Sequence, residues 1–302
     1  MIRPPRLRAG DIIRVVAPSG PVPREAFLAG VAVLRQRYDV RFGEGVFARD
    51  GFLAGPDERR LAELTAALDD PEPKAIMMAR GGYGLLRLLP FLQRESLRAR
   101  PRPLIGFSDG TVLMAFAAAA GVTAVHGPVV TQLGNLSDVD QQALFRLLED
   151  PAPGVLLSGL GTVIPGRAAG PLLGGNLEVF SRLLGTPFLP NLDGAVLFVE
   201  DLGERPYRID RLLTALDLAG VFNAVSAVVV GDFTGCEEPE ATRASSPTAE
   251  EVLIDRLGRL PIPVVVGAPV GHGTRNRALP YGAMVELDAF TGVLTAKEGS
   301  VS

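Results

Sequence analysis

The sequence predicts an α/β protein built on an open, mostly parallel sheet covered by helices on both faces. Three observations predict it. Short apolar runs rich in β-branched residues recur along the 302-residue chain. Segments with apolar residues at helical spacing lie between them. Run after run stops at a loop containing Gly or Pro. A content of 47% hydrophobic and 21% charged residues fits a globular chain with a sizeable core, and the length suffices for two ordinary domains.

Taken in order, Ile12 to Ala17 reads as a strand closed by Pro18-Ser19-Gly20. Arg24 to Tyr38 carries Phe27, Val31 and Leu34 at helical spacing. Asp57 to Leu68 repeats that spacing, with acidic residues in the first turn where the helix dipole favours them. Ala75 to Ala79 is a strand, Arg80-Gly81-Gly82-Tyr83-Gly84 a loop, and Leu85 to Leu92 a helical segment around Pro90. A strand at Leu104 then ends in Gly106-Phe107-Ser108-Asp109-Gly110 and runs straight into an apolar helix. Val122 to Val125 is a further strand, ending at His126-Gly127-Pro128.

From Asp150 to Gly170 helical period lapses into Pro- and Gly-rich sequence, which marks a linker. We expect domains at 1–155 and 170–302, joined by a linker at 156–169. In the second, Gly174 to Leu177 opens a helix to Leu184, and the strand Ala195 to Val199 ends at Glu200-Asp201. Helix Ile209 to Ala219, strand Ala227 to Gly231, helix Ala249 to Leu257 and strand Val264 to Gly267 follow. A terminal hairpin is expected from Val285–Asp288 and Gly292–Thr295, and Glu237 to Pro247 reads as a mobile polar loop.

Net charge is −4, with lysine only at positions 74 and 297 and the arginines scattered among acids. No basic stripe points to nucleic acid or to an anionic membrane. No apolar run is long enough to span a bilayer, and the N-terminus lacks a secretory h-region. One cysteine, Cys236, forms no internal disulfide. A cytoplasmic protein is the expectation. Two histidines and one cysteine show no metal-binding spacing, so neither metal nor organic cofactor is expected.

Ser108 is placed at the tight turn where a hydroxyl is pushed out of the sheet and the next helix points its N-terminus at the reacting atom. The Asp109 amide lies where an oxyanion donor belongs. The alternative is that Ser108 caps the following helix. His272, between Gly271 and Gly273, is uncrowded enough to shuttle protons, or is structural. Glu200 could orient such a histidine, or pair with Arg205 or Arg208, and Asp201 competes for the role. His126 closes a strand in the half that holds Ser108. Arg80 to Gly84 is an oxyanion or anion-cradling loop, or merely a tight turn; it lacks the spacing of dinucleotide and P-loop motifs.

Together these segments resemble the LD-carboxypeptidase family of serine peptidases, which includes murein tetrapeptide carboxypeptidases and microcin C self-immunity proteins. The resemblance runs in order through Val16–Gly20, Arg80–Gly84, Gly106–Asp109, His126–Pro128, Gly174–Leu177, Glu200–Asp201 and Gly271–Gly273. It implies a flavodoxin-like or Rossmann-like N-terminal domain, a C-terminal α/β domain and an active site in the cleft between them. It further implies Ser108 as nucleophile, Glu200 and His272 as acid and base, and the Asp109 and Gly82 amides as oxyanion donors. Arg80, Tyr83, His126 and Asn176 become candidates for substrate binding. The implied activity releases a terminal D-amino acid from a murein tetrapeptide through an acyl-enzyme, in a homodimer. Hydrolysis of an aminoacyl adenylate, or silent ligand binding on the same fold, are the alternatives.

Overall fold

The computed structural model describes residues 1–243 and 245–302. Its strands, in chain order, are β1 (Ile12–Val16), β2 (Asp39–Arg41), β3 (Ala75–Met78), β4 (Leu104–Gly106), β5 (Ala124–His126), β6 (Val155–Leu157), β7 (Gly161–Ile164) and β8 (Arg167–Asn176). They continue with β9 (Val196–Leu202), β10 (Ala227–Thr234), β11 (Val264–Val266), β12 (Leu279–Tyr281), β13 (Met284–Asp288) and β14 (Val293–Ala296).

The chain divides into two compact units. The first comprises Met1–Pro151, Arg277–Gly282 and Gly299–Ser302; the second comprises Ala152–Asn276 and Ala283–Glu298. The expectation of domains meeting at a single linker therefore gives way to a chain that leaves the first unit and returns to it twice. The expected linker at 156–169 is itself built into the second unit as β6, β7 and the start of β8. Its glycines, among them Gly159 and Gly166 at positive φ, make the turns between short strands.

The first unit holds a six-stranded sheet in the order β12-β5-β4-β3-β1-β2. β1 to β5 run parallel, and β12 closes the edge antiparallel to β5. The order 2-1-3-4-5 is the flavodoxin-like winding, and it reverses direction between β1 and β3. β3 and β4 are buried along their whole length, as continuous apolar runs in a doubly covered parallel sheet should be. The helix Thr111–Ala119 is buried from Thr111 to Ala118, so apolar residues on every face suit it.

Helix 24–38 is shorter than its spacing suggested, ending at Leu34. Tyr38 then turns inward, its hydroxyl donating to Glu149 at 2.6 Å. Leu85 to Leu92 splits into a helical turn, Leu85–Leu88, and a 3-10 turn, Leu89–Phe91, at Pro90, which has no amide hydrogen to continue the ladder.

The second unit holds an eight-stranded mixed sheet in the order β6-β14-β13-β8-β9-β10-β11-β7. Its central strands β8 to β11 are parallel, while β7 on one side and β13, β14 and β6 on the other pair antiparallel. The expected hairpin is β13–β14. Within 237–247, residues Glu240–Arg243 form a helical turn and Ala244 lies outside the described residues. No helix among the described residues is long and apolar enough to cross a membrane.

Candidate functional site

In the first unit, the loops that follow β1, β3 and β4 lie at the carboxyl ends of those strands, beside the switch point where ligands of such sheets bind. Ser108 follows β4 and has φ 61°, the only non-glycine residue at positive φ among the described residues. That conformation costs an L-residue about 1–2 kcal/mol, so its surroundings must hold it. The serine, not its glycines, makes the sharp turn. Gly106 and Gly110 serve instead to admit Met78, whose sulfur lies 2.6 and 2.7 Å from where their β-carbons would be. The helix-capping alternative fails, because neither the 3-10 turn Ser108–Gly110 nor the helix after it has a side-chain cap.

Asp109 is what pins the turn. Its buried carboxylate accepts from the Ser19 hydroxyl at 2.6 Å and from the Leu85 amide at 2.9 Å. Burial pushes its acid up to about 6, while those two donors pull it back. One side chain therefore ties the loops after β1, β3 and β4 together. Arg60 does similar work. It is fully buried, donating to the carbonyls of Pro18, Gly55 and Gly84 and pairing with Asp57. Arg60→Met should cost about 3–5 kcal/mol in a urea titration, since three carbonyls lose their donor and Asp57 loses a partner. A loss below about 1 kcal/mol would show that the loops hold without it.

The Arg80–Gly84 loop packs directly on the serine. A β-carbon at Gly81 would lie 2.9 Å from the Ser108 β-carbon and 3.0 Å from its Oγ. Gly82 and Gly84 take φ 109° and 134°, and the Gly20 amide donates to the Gly81 carbonyl at 3.0 Å. Arg80 is half-buried and donates to the Pro21 carbonyl. Tyr83 is exposed, its ring 5.7 Å from that of Phe52. Beside this loop is a cavity of about 640 Å3, bounded by Gly20, Arg49, Phe52, Arg80, Gly82 and Tyr83 among others. His126 is fully buried at the end of β5, its ring edge-on to Phe107 at 6.0 Å.

In the second unit β9 continues past Val199 through Leu202, so Glu200 and Asp201 lie within the strand and on opposite faces. Alternation settles the competition between them. Glu200, fully buried, is 2.7 Å through Oε2 from His272 Nδ1, while its Oε1 has no partner. Asp201 faces the start of the helix Leu177–Ser181, accepting from the Glu178 amide at 3.0 Å and from Asn176 Nδ2 at 2.9 Å. Asn176 in turn caps that helix by accepting from the Val179 amide. The alternative pairing of Glu200 with Arg205 or Arg208 does not occur: Arg205 pairs with Glu238 and Arg208 with Glu204.

The Gly271-His272-Gly273 turn needs its glycines for space. At φ 137°, a β-carbon on Gly271 would lie 2.9 Å from Glu200 Oε2, and one on Gly273 would lie 2.4 Å from Asp232 Oδ2. Fully buried Asn276 braces the turn, its Oδ1 accepting from the Gly271 amide at 3.2 Å. Among the described residues no three His, Cys, Asp or Glu side chains gather as metal ligands do.

Burial pushes Asp201 up to about 7, against the pull of the donors from Leu202, Asn176 and Glu178. Between its ordinary value of 3.8 and about 7, the folded protein then keeps a proton that the unfolded chain has released. The Asp201 contribution to stability is therefore greatest near pH 4 and declines as pH rises to 7. Urea titrations across that range should show a shallower decline in Asp201→Asn than in the parent. Parallel curves would place the titration elsewhere.

Sequence reasoning missed the supporting roles of three residues here. Ser19, Arg60 and Asn276 all hold the turns through their side chains. Ser19 lies in the Pro18-Ser19-Gly20 loop read from the residues, and Arg60 left a signal of its own: it lies four residues before Leu64, on the apolar face of the helix Asp57–Asp69.

Comparison with known proteins gives consistent matches. Residues 13–127 match the LD-carboxypeptidase N-terminal domain, and residues 169–287 match the LD-carboxypeptidase C-terminal domain. The murein tetrapeptide carboxypeptidase of Pseudomonas aeruginosa is 34% identical, over 91% of this chain and 92% of that protein. The crystal structure of a muramoyltetrapeptide carboxypeptidase from Oxalobacter formigenes matches with a TM-score of 0.84 at 30% identity, covering 96% of this chain and 100% of that one. A microcin C7 self-immunity protein bound to aspartyl sulfamoyl adenosine shares the fold, with a TM-score of 0.90 at 24% identity over the whole of both chains.

Proposed function

The chain belongs to the LD-carboxypeptidase family, both of whose domains it carries, and on that premise we propose that it is a serine peptidase releasing terminal D-alanine from murein tetrapeptides. The observation that carries the catalytic part is the 2.7 Å bond between His272 Nδ1 and the fully buried Glu200. A carboxylate only accepts, so Nδ1 donates and the lone pair is left on Nε2, the atom that takes a proton from a serine hydroxyl.

Ser108 Oγ attacks the carbonyl of the L-to-D peptide bond as its proton passes to His272 Nε2. Glu200 holds the ring in that tautomer and stabilises the imidazolium. The Asp109 and Gly82 amides receive the oxyanion. Collapse of the tetrahedral species breaks the C–N bond, His272 returns the proton to the leaving amine, and an acyl-Ser108 ester remains. Water, deprotonated by His272, then hydrolyses it. The strained φ of Ser108 and the glycine loop packed on its side chain support this reading. We read the enzyme as a cytoplasmic homodimer acting on peptides from wall turnover.

A second reading is hydrolysis of an aminoacyl adenylate, as the microcin relatives suggest. The exposed Phe52–Tyr83 ring pair is the feature that favours it, since a nucleobase could stack there. The test is to incubate the protein separately with a murein tetrapeptide and with an aminoacyl sulfamoyl adenosine and follow both by mass spectrometry. Loss of D-alanine from the peptide alone is expected; cleavage of the nucleoside alone would favour the second reading, and cleavage of neither would overturn both.

A further inference from the structure

We propose that Arg49 and Arg80 form a subsite that binds a carboxylate of the peptide substrate. The inference rests on the peptidase reading above and specifies what that site recognises. Both arginines line the cavity of about 640 Å3, and none of its lining residues is acidic. Among the described residues neither arginine is paired with a carboxylate, whereas Arg59, Arg60 and Arg87 of the same unit are. Each is instead steadied by its own loop: Arg49 Nε donates to the Gly51 carbonyl at 3.3 Å, and Arg80 Nη1 donates to the Pro21 carbonyl. Those bonds orient the two forks and leave further N–H groups for a ligand.

Two guanidinium groups facing one hollow without a counter-charge are matched by a planar anion, and a carboxylate accepts from such forks in pairs. The hollow adjoins the loop that packs on the proposed nucleophile. Gly20 and Gly82 form part of its wall, and the next residue, Gly81, is packed on the Ser108 side chain. In a peptide cut one residue from its end, the terminal carboxylate hangs on the carbon bonded to the scissile nitrogen. Carboxylates on the acyl side are the other source of the same chemistry. Pro21, Pro23, Phe47, Phe52 and Tyr83 complete the wall.

The test measures kcat and KM on three peptides: the parent tetrapeptide, its C-terminal carboxamide, and an analogue amidated at the acyl-side carboxylates. The native enzyme should disfavour one of the two amides by about 10- to 100-fold in kcat/KM, the usual weight of a charged hydrogen bond. The amide that suffers identifies which carboxylate is held. Arg80→Met and Arg49→Met should each shrink that preference, mainly by raising KM for the parent, and Arg80→Lys should restore part of it. Arg49 is exposed, so its variant tests the subsite even if Arg80→Met folds poorly.

Unchanged discrimination in Arg49→Met, or an equal loss of kcat on all three peptides, would overturn the subsite while leaving the peptidase reading intact. Should the native enzyme cleave none of the peptides, the peptidase reading fails by itself. Binding of N-acetyl-D-alanine and of an acyl-side peptide acid, each against its amide, then decides the subsite: tighter binding of either acid, lost in both variants, supports it, and equal or absent binding of both overturns it.

Discussion

Ser108→Ala is expected to lower kcat by about 10^4-fold or more, because it removes the hydroxyl proposed to form the acyl-enzyme. Folding should change little, since the side chain caps neither the 3-10 turn nor the helix that follows. Ser108→Gly separates the two roles of the residue further. It should be equally inactive yet at least as stable as Ser108→Ala, because glycine adopts φ 61° without the cost of about 1–2 kcal/mol borne by any side chain. Turnover and thermal unfolding of the pair read this directly. Native-like turnover in Ser108→Ala would remove the nucleophile from the mechanism.

Glu200→Gln should cost about 10^3- to 10^4-fold in kcat/KM, as an amide neither balances an imidazolium nor holds the needed tautomer as firmly. Its effect on stability should be small. The amide oxygen can still accept from His272 Nδ1, but the amide nitrogen then takes the place of Oε1, which has no hydrogen-bond partner, so two orphaned donors offset the loss of a buried charge. An unfolding midpoint close to the parent's is therefore expected alongside the lost activity. A midpoint that falls steeply with the activity would mark the pair with His272 as structural.

Much of this was legible in the residues. The strand, turn and buried helix around Ser108 could be read because an apolar run, two glycines and a second apolar run meet there. The role of the glycines could not, since it depends on Met78, which comes from β3 some thirty positions earlier. From the residues alone Glu200 and Asp201 are indistinguishable, because the apolar run ends at Val199. Once the strand runs to Leu202, alternation gives them separate neighbours. β6 and β7 were hidden because three- and four-residue strands between glycine turns carry no period long enough to see. β12 was hidden by Pro280, a residue that argues against a central strand but is tolerated at a sheet edge, where β12 lies.

That edge has a consequence for how the chain comes off the ribosome. Residues 1–151 emerge first, with every parallel strand of their sheet, but the strand that covers β5 belongs to residues 277–282. At about 5–20 residues per second, translation of the stretch between them takes about 6–25 s. For that time β5 is an unpaired border, able to zip onto a neighbouring nascent chain. The yield of correctly assembled protein is thus expected to depend on the pace of synthesis as well as on final stability. A fragment stopped at residue 151 should accumulate as aggregate, and supplying residues 277–282 on a short C-terminal extension should rescue it.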